Sequence, residues 1–152
     1  MQEMIRVAVD AMGGDNAPDE IIRGAMEAVA LREDIQVILV GKEELIREKL
    51  KGYSYREQQV EVVNATEVIE TAEPPVAAIR TKKDSSIVVG LKLVKAEKAD
   101  AFVSAGSSGA VLAGGQLLVG RIKGVERPPL APLIPTEKGV SLLIDCGANV
   151  DA

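Results

Sequence analysis

The sequence predicts an α/β protein, a mostly parallel sheet with helices on both faces. Three observations carry this. Short β-branched runs alternate with longer segments of helical periodicity, and that alternation implies right-handed crossovers between parallel strands. The run Ile35 to Val40 (IQVILV) is nearly all apolar, as a strand covered on both faces should be. Glycine-rich turns follow three of the strand-like runs, where open α/β sheets bind ligands, beyond the carboxyl ends of their strands.

Ile5 to Asp10 (IRVAVD) reads as the first strand, with Ile5, Val7 and Val9 on one face and the small Ala8 on the other. Pro18 suits a first helical turn, and Asp19 and Glu20 complement the positive helix end. Ile22, Met26 and Val29 then recur at helical spacing. After the second strand, Gly41 breaks the run, and Glu43 to Lys51 forms a charged helix with Leu45, Ile46 and Leu50 inward, stopped by Gly52. Val60 to Val63 is a short third strand. Thr66 to Glu73 reads as loop or strand, and Pro74 and Pro75 open a helix through Arg80. Ser85 and Ser86 offer an N-cap for a helix to about Lys98. Ala101 to Ser104 is the fourth strand, followed by a helix over Ala110 to Arg121. Pro128, Pro129, Pro132 and Pro135 break regular structure before a fifth strand, Val140 to Asp145. The chain reads as one α/β domain over 1–152. It stops at Asp151-Ala152, just after a strand and a glycine loop, and so reads as the N-terminal part of a longer protein.

Composition excludes several function classes. The 152 residues carry 18 Lys plus Arg against 23 Asp plus Glu, a formal charge of -5, which disfavours nucleic acid as a partner. Histidine is absent, which removes Ser-His-Asp and Cys-His nucleophile systems, His general bases and His-ligated metals. The single cysteine, Cys146, can form neither an internal disulfide nor a Cys-rich metal site, and follows an apolar strand as a small core filler. A reducing, cytoplasmic setting follows as the default. No apolar run reaches the roughly 18 to 20 residues of a membrane span.

The candidate chemistry lies at the strand exits. Asp10 runs into Ala11-Met12-Gly13-Gly14-Asp15-Asn16, Ser104 into Ala105-Gly106-Ser107-Ser108-Gly109, and Asp145 into Cys146-Gly147-Ala148-Asn149. The second turn offers free backbone N–H groups and two or three hydroxyls at a positive helix end, an anion cradle. The same residues also read as a tight turn with serine as N-cap. No Walker A lysine follows, and the first loop lacks GxGxxG spacing. Asp10 and Asp15 admit a hard-cation reading and a turn-capping one, as do Asp145 and Asn149. Capping is favoured, and no metal is expected. Arg80, Lys82, Lys83, Lys92, Lys95 and Lys98 face only Asp84 and Glu97, a local +4. Lys92, Lys95 and Lys98 form one helical stripe, which reads either as a solvated face or as a dock for an acidic partner.

Six segments, in order, resemble the PlsX-type phosphate acyltransferases of bacterial phospholipid synthesis. They are VDAMGGDNAP (9–18), ATEVI (65–69), AAIRTKKDSSI (77–87), ADAFVSAGSSGA (99–110), ERPPLAPLIP (126–135) and LLIDCGANVDA (142–152). The resemblance covers essentially the whole chain, as the N-terminal half of a family about twice as long. It implies a three-layer α/β/α fold similar to that of phosphotransacetylases and isopropylmalate dehydrogenases. It also implies transfer of a fatty acyl group from acyl carrier protein to inorganic phosphate, with acyl phosphate as product. The implied enzyme needs no organic cofactor, forms homodimers and associates peripherally with membrane. One departure stands out: the family usually reads Ser-Ala-Gly-Asn-Thr-Gly-Ala, and here Ser107-Ser108 replace Asn-Thr. Ser108 keeps the hydroxyl and Ser107 loses the amide.

On this reading phosphate binds Ser104, Gly106, Ser107, Ser108 and Gly109, in a crevice lined by Asp10, Gly13, Gly14, Asp15, Asp145 and Asn149. No individual catalytic residue is singled out. Acyl transfer from a thioester to phosphate suits a chain without histidine, because the nucleophile is already an anion and the leaving thiol has a pKa of about 8.5. Such a site must neutralise phosphate, align it and donate to the developing oxyanion. A truncated, non-catalytic module that holds phosphate or carrier protein is the alternative. A metal-dependent decarboxylating dehydrogenase draws only on the shared fold.

Overall fold

The computed structural model describes residues 4–126 and 128–144. A four-stranded parallel sheet forms its centre, built from β1 (Ile5–Asp10), β2 (Ile35–Gly41), β3 (Val60–Asn64) and β4 (Ala101–Val103) in the order β3-β2-β1-β4. The chain moves outward from β1 to β2 and β3, then returns to place β4 on the opposite side of β1. The sheet therefore has its topological switch point between β1 and β4, the position that opens a crevice at the carboxyl edge.

Strand alternation sorts the core into layers. Val37 and Leu39 of β2 face α1 (Asp19–Leu31) and α2 (Glu43–Leu50), packing with Ile22, Ala25, Met26, Val29, Ile46 and Leu50. Ile38 and Val40 point the other way, with Ala8 and Ala65, under α4 (Ser86–Lys95). The opposite face of α4 packs Ile87, Val88 and Leu91 against α3 (Pro75–Thr81) and α5 (Ser108–Gly114) through Ala78, Ile79 and Ala110. Because α4 is covered on two sides, its sequence is apolar nearly all round. Gly90 is what lets it sit so low on the sheet: a Cβ there would stand 2.3 Å from the Phe102 ring.

Several expectations shift. Leu45 is exposed, and only Ile46 and Leu50 of α2 are buried, because Leu45 lies about 100° around the helix from Ile46. The helix expected to reach Lys98 ends at Lys95, where Glu97 takes a left-handed φ of 57° and Lys98 N–H bonds the Leu93 carbonyl. Residues 66–73 make a single bridge, Glu67 to Ser85. The helix expected from Ala110 begins earlier, at Ser108, and passes into a π-helical turn over Gly115–Val119. The expected fifth strand is not in the parallel sheet. Instead β5 (Leu133–Thr136) and β6 (Gly139–Leu142) form an antiparallel hairpin. Pro135 thus lies inside a strand, which an unshared edge permits. Asp145, Cys146, Gly147 and Asn149 lie outside the described residues.

Candidate functional site

Parallel pairing of β1 with β4, in the register Val9 to Val103, carries both glycine turns to one end of the sheet. The site is built on a buried carboxylate. Asp10, only 1% exposed, accepts from Met12 N–H at 3.1 Å and from the Ser104 hydroxyl at 2.7 Å. The same hydroxyl accepts from Gly106 N–H at 3.0 Å. One side chain from each turn thus locks the two together. Gly13 has to be glycine for that contact: a Cβ would lie 2.4 Å from Asp10 Oδ2 and 2.8 Å from Gly106 N. Gly14 adopts φ +102° over the Ala105 carbonyl, a conformation that favours glycine.

This clamp divides the predicted residues by role. The Ser104 proton and the Gly106 N–H are both spent inside the clamp. Ser107 is the N-cap of α5, buried, its hydroxyl accepting from Ala110 N–H at 3.2 Å. Asparagine caps equally well, so Ser107 and an asparagine at this position would do the same local duty. Ser108 is the first residue of α5, exposed, and its hydroxyl bonds to none of the described residues. Gly109 packs against Pro75 of α3, where a Cβ would meet the ring at 2.8 Å. Asp15 is exposed near the first turn, while Asp10 is a turn cap. Among the described residues no cluster of three His, Cys, Asp or Glu side chains could hold a metal ion.

A cavity of about 540 Å³ opens beside this turn. Ser104, Gly106 and Ser108 line one end, and Val111, Leu112 and Val119 continue along the helix. The chain after Gly120 folds back to close the far wall with Ile122, Val125 and Leu130, its bend held by the Arg121 guanidinium donating to the Glu126 carbonyl. Sequence reasoning missed this cavity. Its signal was a second apolar row on one helix, Leu112, Gly115 and Val119, at spacings of three and four.

The basic segment is only partly free. Lys82 pairs with Glu73 at 2.5 Å and donates to the Val68 carbonyl, and this pairing holds the Glu73 carboxyl below its ordinary range. Lys92 reaches the Lys83 carbonyl at 3.3 Å and Lys95 the Val119 carbonyl at 3.1 Å. Lys83 reaches the Ile79 carbonyl at 3.4 Å, and Arg80 is exposed. Lys98, past the helix end, leaves the stripe. Through Lys95, the basic face borders the cavity wall.

Residues 5–152 match the family described as "Fatty acid synthesis protein". The chain belongs to that family. A phosphate acyltransferase of Thermoanaerobacter pseudethanolicus is 52% identical over 97% of this chain and 43% of its own length. One of Alkaliphilus oremlandii is 54% identical over 97% and 44%, and one of Syntrophomonas wolfei 54% over 97% and 46%. The chain therefore spans less than half the length of these curated relatives. A phosphotransacetylase from Streptococcus pyogenes superposes with a TM-score of 0.65 at 18% identity, over 98% of this chain and 49% of that one. That likeness shows the fold, a mostly parallel sheet in a three-layer α/β/α arrangement. No helix among the described residues is long and apolar enough to cross a membrane.

Proposed function

We propose that the protein carrying this segment transfers a fatty acyl group from acyl carrier protein to inorganic phosphate, releasing acyl phosphate for phospholipid synthesis. One observation supports this most. In the turn after β4 the Ser108 hydroxyl and the leading helix N–H groups bond to none of the described residues and lie at the mouth of a mainly apolar cavity, so a small anion and an apolar chain can meet there. A phosphate oxygen attacks the thioester carbonyl carbon, the C–O bond forms, the C–S bond breaks, and the carrier leaves as thiolate. No protein nucleophile is required. The donors of residues 107–109 hold phosphate, with Gly13, Gly14 and Asp15 beside them, while Asp10 and Ser104 position the turn.

Carrier protein is acidic in this reading and docks on the basic face that borders the cavity. Homodimerisation, a cytoplasmic setting and peripheral membrane contact belong to the same proposal. Phosphate kinetics in the full-length enzyme test the site. Because Ser107 is the cap, Ser108→Ala leaves the helix start intact and removes one donor; the phosphate KM rises a few-fold, about 1 kcal/mol. Ser108→Asp sets a fixed carboxylate against the anion and raises it far more. A normal phosphate KM in the Asp variant refutes the assignment. Charge reversal at Lys92 and Lys95 raises the carrier-protein KM at low salt and flattens its salt dependence. An unchanged KM makes the stripe a solvated face.

A further inference from the structure

We propose that the cavity along α5 holds the fatty acyl chain, with its carbonyl end at Ser108. This rests on the functional reading above and deepens it by assigning a place to the substrate's apolar part. Three features of the cavity argue for such an occupant. Its lining is mainly apolar: Ser104, Gly106 and Ser108 form one end, and beyond them Leu112, Ile122 and Leu130 are among the apolar side chains, with Gln116 and Arg121 the polar exceptions. An amphiphile with one polar terminus matches that layout, whereas a sugar or nucleotide would leave its hydroxyls unpaired against the apolar wall. Its size, about 540 Å³, lies within the range of cavities that bury small ligands. Its position is continuous with the proposed anion turn, since Ser108 belongs to both. A chain lying along α5 from that end puts its thioester carbonyl beside the proposed anion turn.

Gly115 gives direct access to the cavity. It lines the wall, its backbone is ordinary right-handed helix (φ −57°, ψ −46°), and a Cβ there meets nothing within 4 Å. Any L-residue therefore fits the backbone, and the side chain projects into open space. The experiment uses the full-length enzyme and acyl carrier proteins loaded with saturated chains of increasing length. Each methylene denied its burial costs about fourfold in kcat/KM, so Gly115→Leu lowers the long-to-short ratio by at least an order of magnitude. Gly115→Ala gives a smaller shift in the same direction. The phosphate KM stays at the wild-type value in both. A chain-length profile that does not move, with or without a fall in melting temperature, overturns the proposal; with such a fall, the rest of the polypeptide fills the cavity. Uniform loss of turnover at every chain length overturns it too. Absence of phosphate-dependent turnover in the wild type defeats the functional reading itself, which distinguishes the two failures.

Discussion

Ser104→Ala isolates the clamp between the two turns. The lost hydroxyl donates to a buried carboxylate at 2.7 Å and accepts Gly106 N–H at 3.0 Å. A hydrogen bond to a charged group is worth about 1.5–3 kcal/mol and a neutral one about 0.5–1.5. Together they give an expected loss of about 2–4.5 kcal/mol, larger than a surface serine should cost. Asp10→Asn supplies the control. Its carbonyl oxygen still accepts from Met12 N–H, and its amide can donate to Ser104 Oγ, so the geometry survives without the charge. In that background both bonds are neutral, so Ser104→Ala should cost about 1–3 kcal/mol, and the difference is a coupling of roughly the size seen between directly bonded residues. Urea denaturation followed by circular dichroism measures all four corners of the cycle. Equal costs in both backgrounds, or a wild-type cost below about 0.5 kcal/mol, would refute the argument that a buried charge holds the turns together.

Two further changes test the scaffold. The amide nitrogen of buried Gln59 donates to the carbonyls of Arg32 (2.8 Å), Ile35 (3.2 Å) and Val29 (3.4 Å), joining the end of α1 to the start of β2. Gln59→Leu should cost about 1–3 kcal/mol in a denaturation experiment, and Gln59→Glu more, since a carboxylate would face three carbonyl oxygens; a neutral Glu variant refutes this. The Asp84 carboxyl, accepting from the Thr66 hydroxyl and N–H, is held below its ordinary range mainly by those bonds. Its unfolded form binds the proton more tightly, so its stabilisation is present above about pH 4 and lost as pH falls through the lower folded value. Asp84→Asn should therefore be less stable than wild type near neutrality, with the gap closing in acid. A gap independent of pH would count against it.

Much of the fold is legible in residue periodicity. In β2, Val37 and Leu39 go one way and Ile38 and Val40 the other, as alternation requires. In α1, Ile22, Met26 and Val29 face the sheet. What periodicity omits is partnership. The run Val140 to Asp145 looks like any strand, and nothing in it names Leu133–Thr136 as its neighbour or forbids the parallel sheet. Gln59 sits in a polar stretch, and its burial depends on carbonyls more than twenty residues away. Both turns at the candidate site were visible as strand exits rich in glycine. Their mutual contact was not, because it follows from strand order, and the split between a capping Ser107 and a free Ser108 depends on where one helix starts.

The strand order also sets a timetable for synthesis. Ile5 pairs with Ile35, so β1 and β2 can meet early, but Ser104 must reach Asp10 across 94 residues. At about 5–20 residues per second, a ribosome needs roughly 5–20 s to supply that stretch. Throughout that interval the first strand made has one edge still open, a row of unpaired N–H and C=O groups available to any passing strand. The first strand made thus waits for the same short strand that carries the second glycine turn to the candidate site. Pairing with β4 closes that edge of β1 and brings the two glycine turns together in one event.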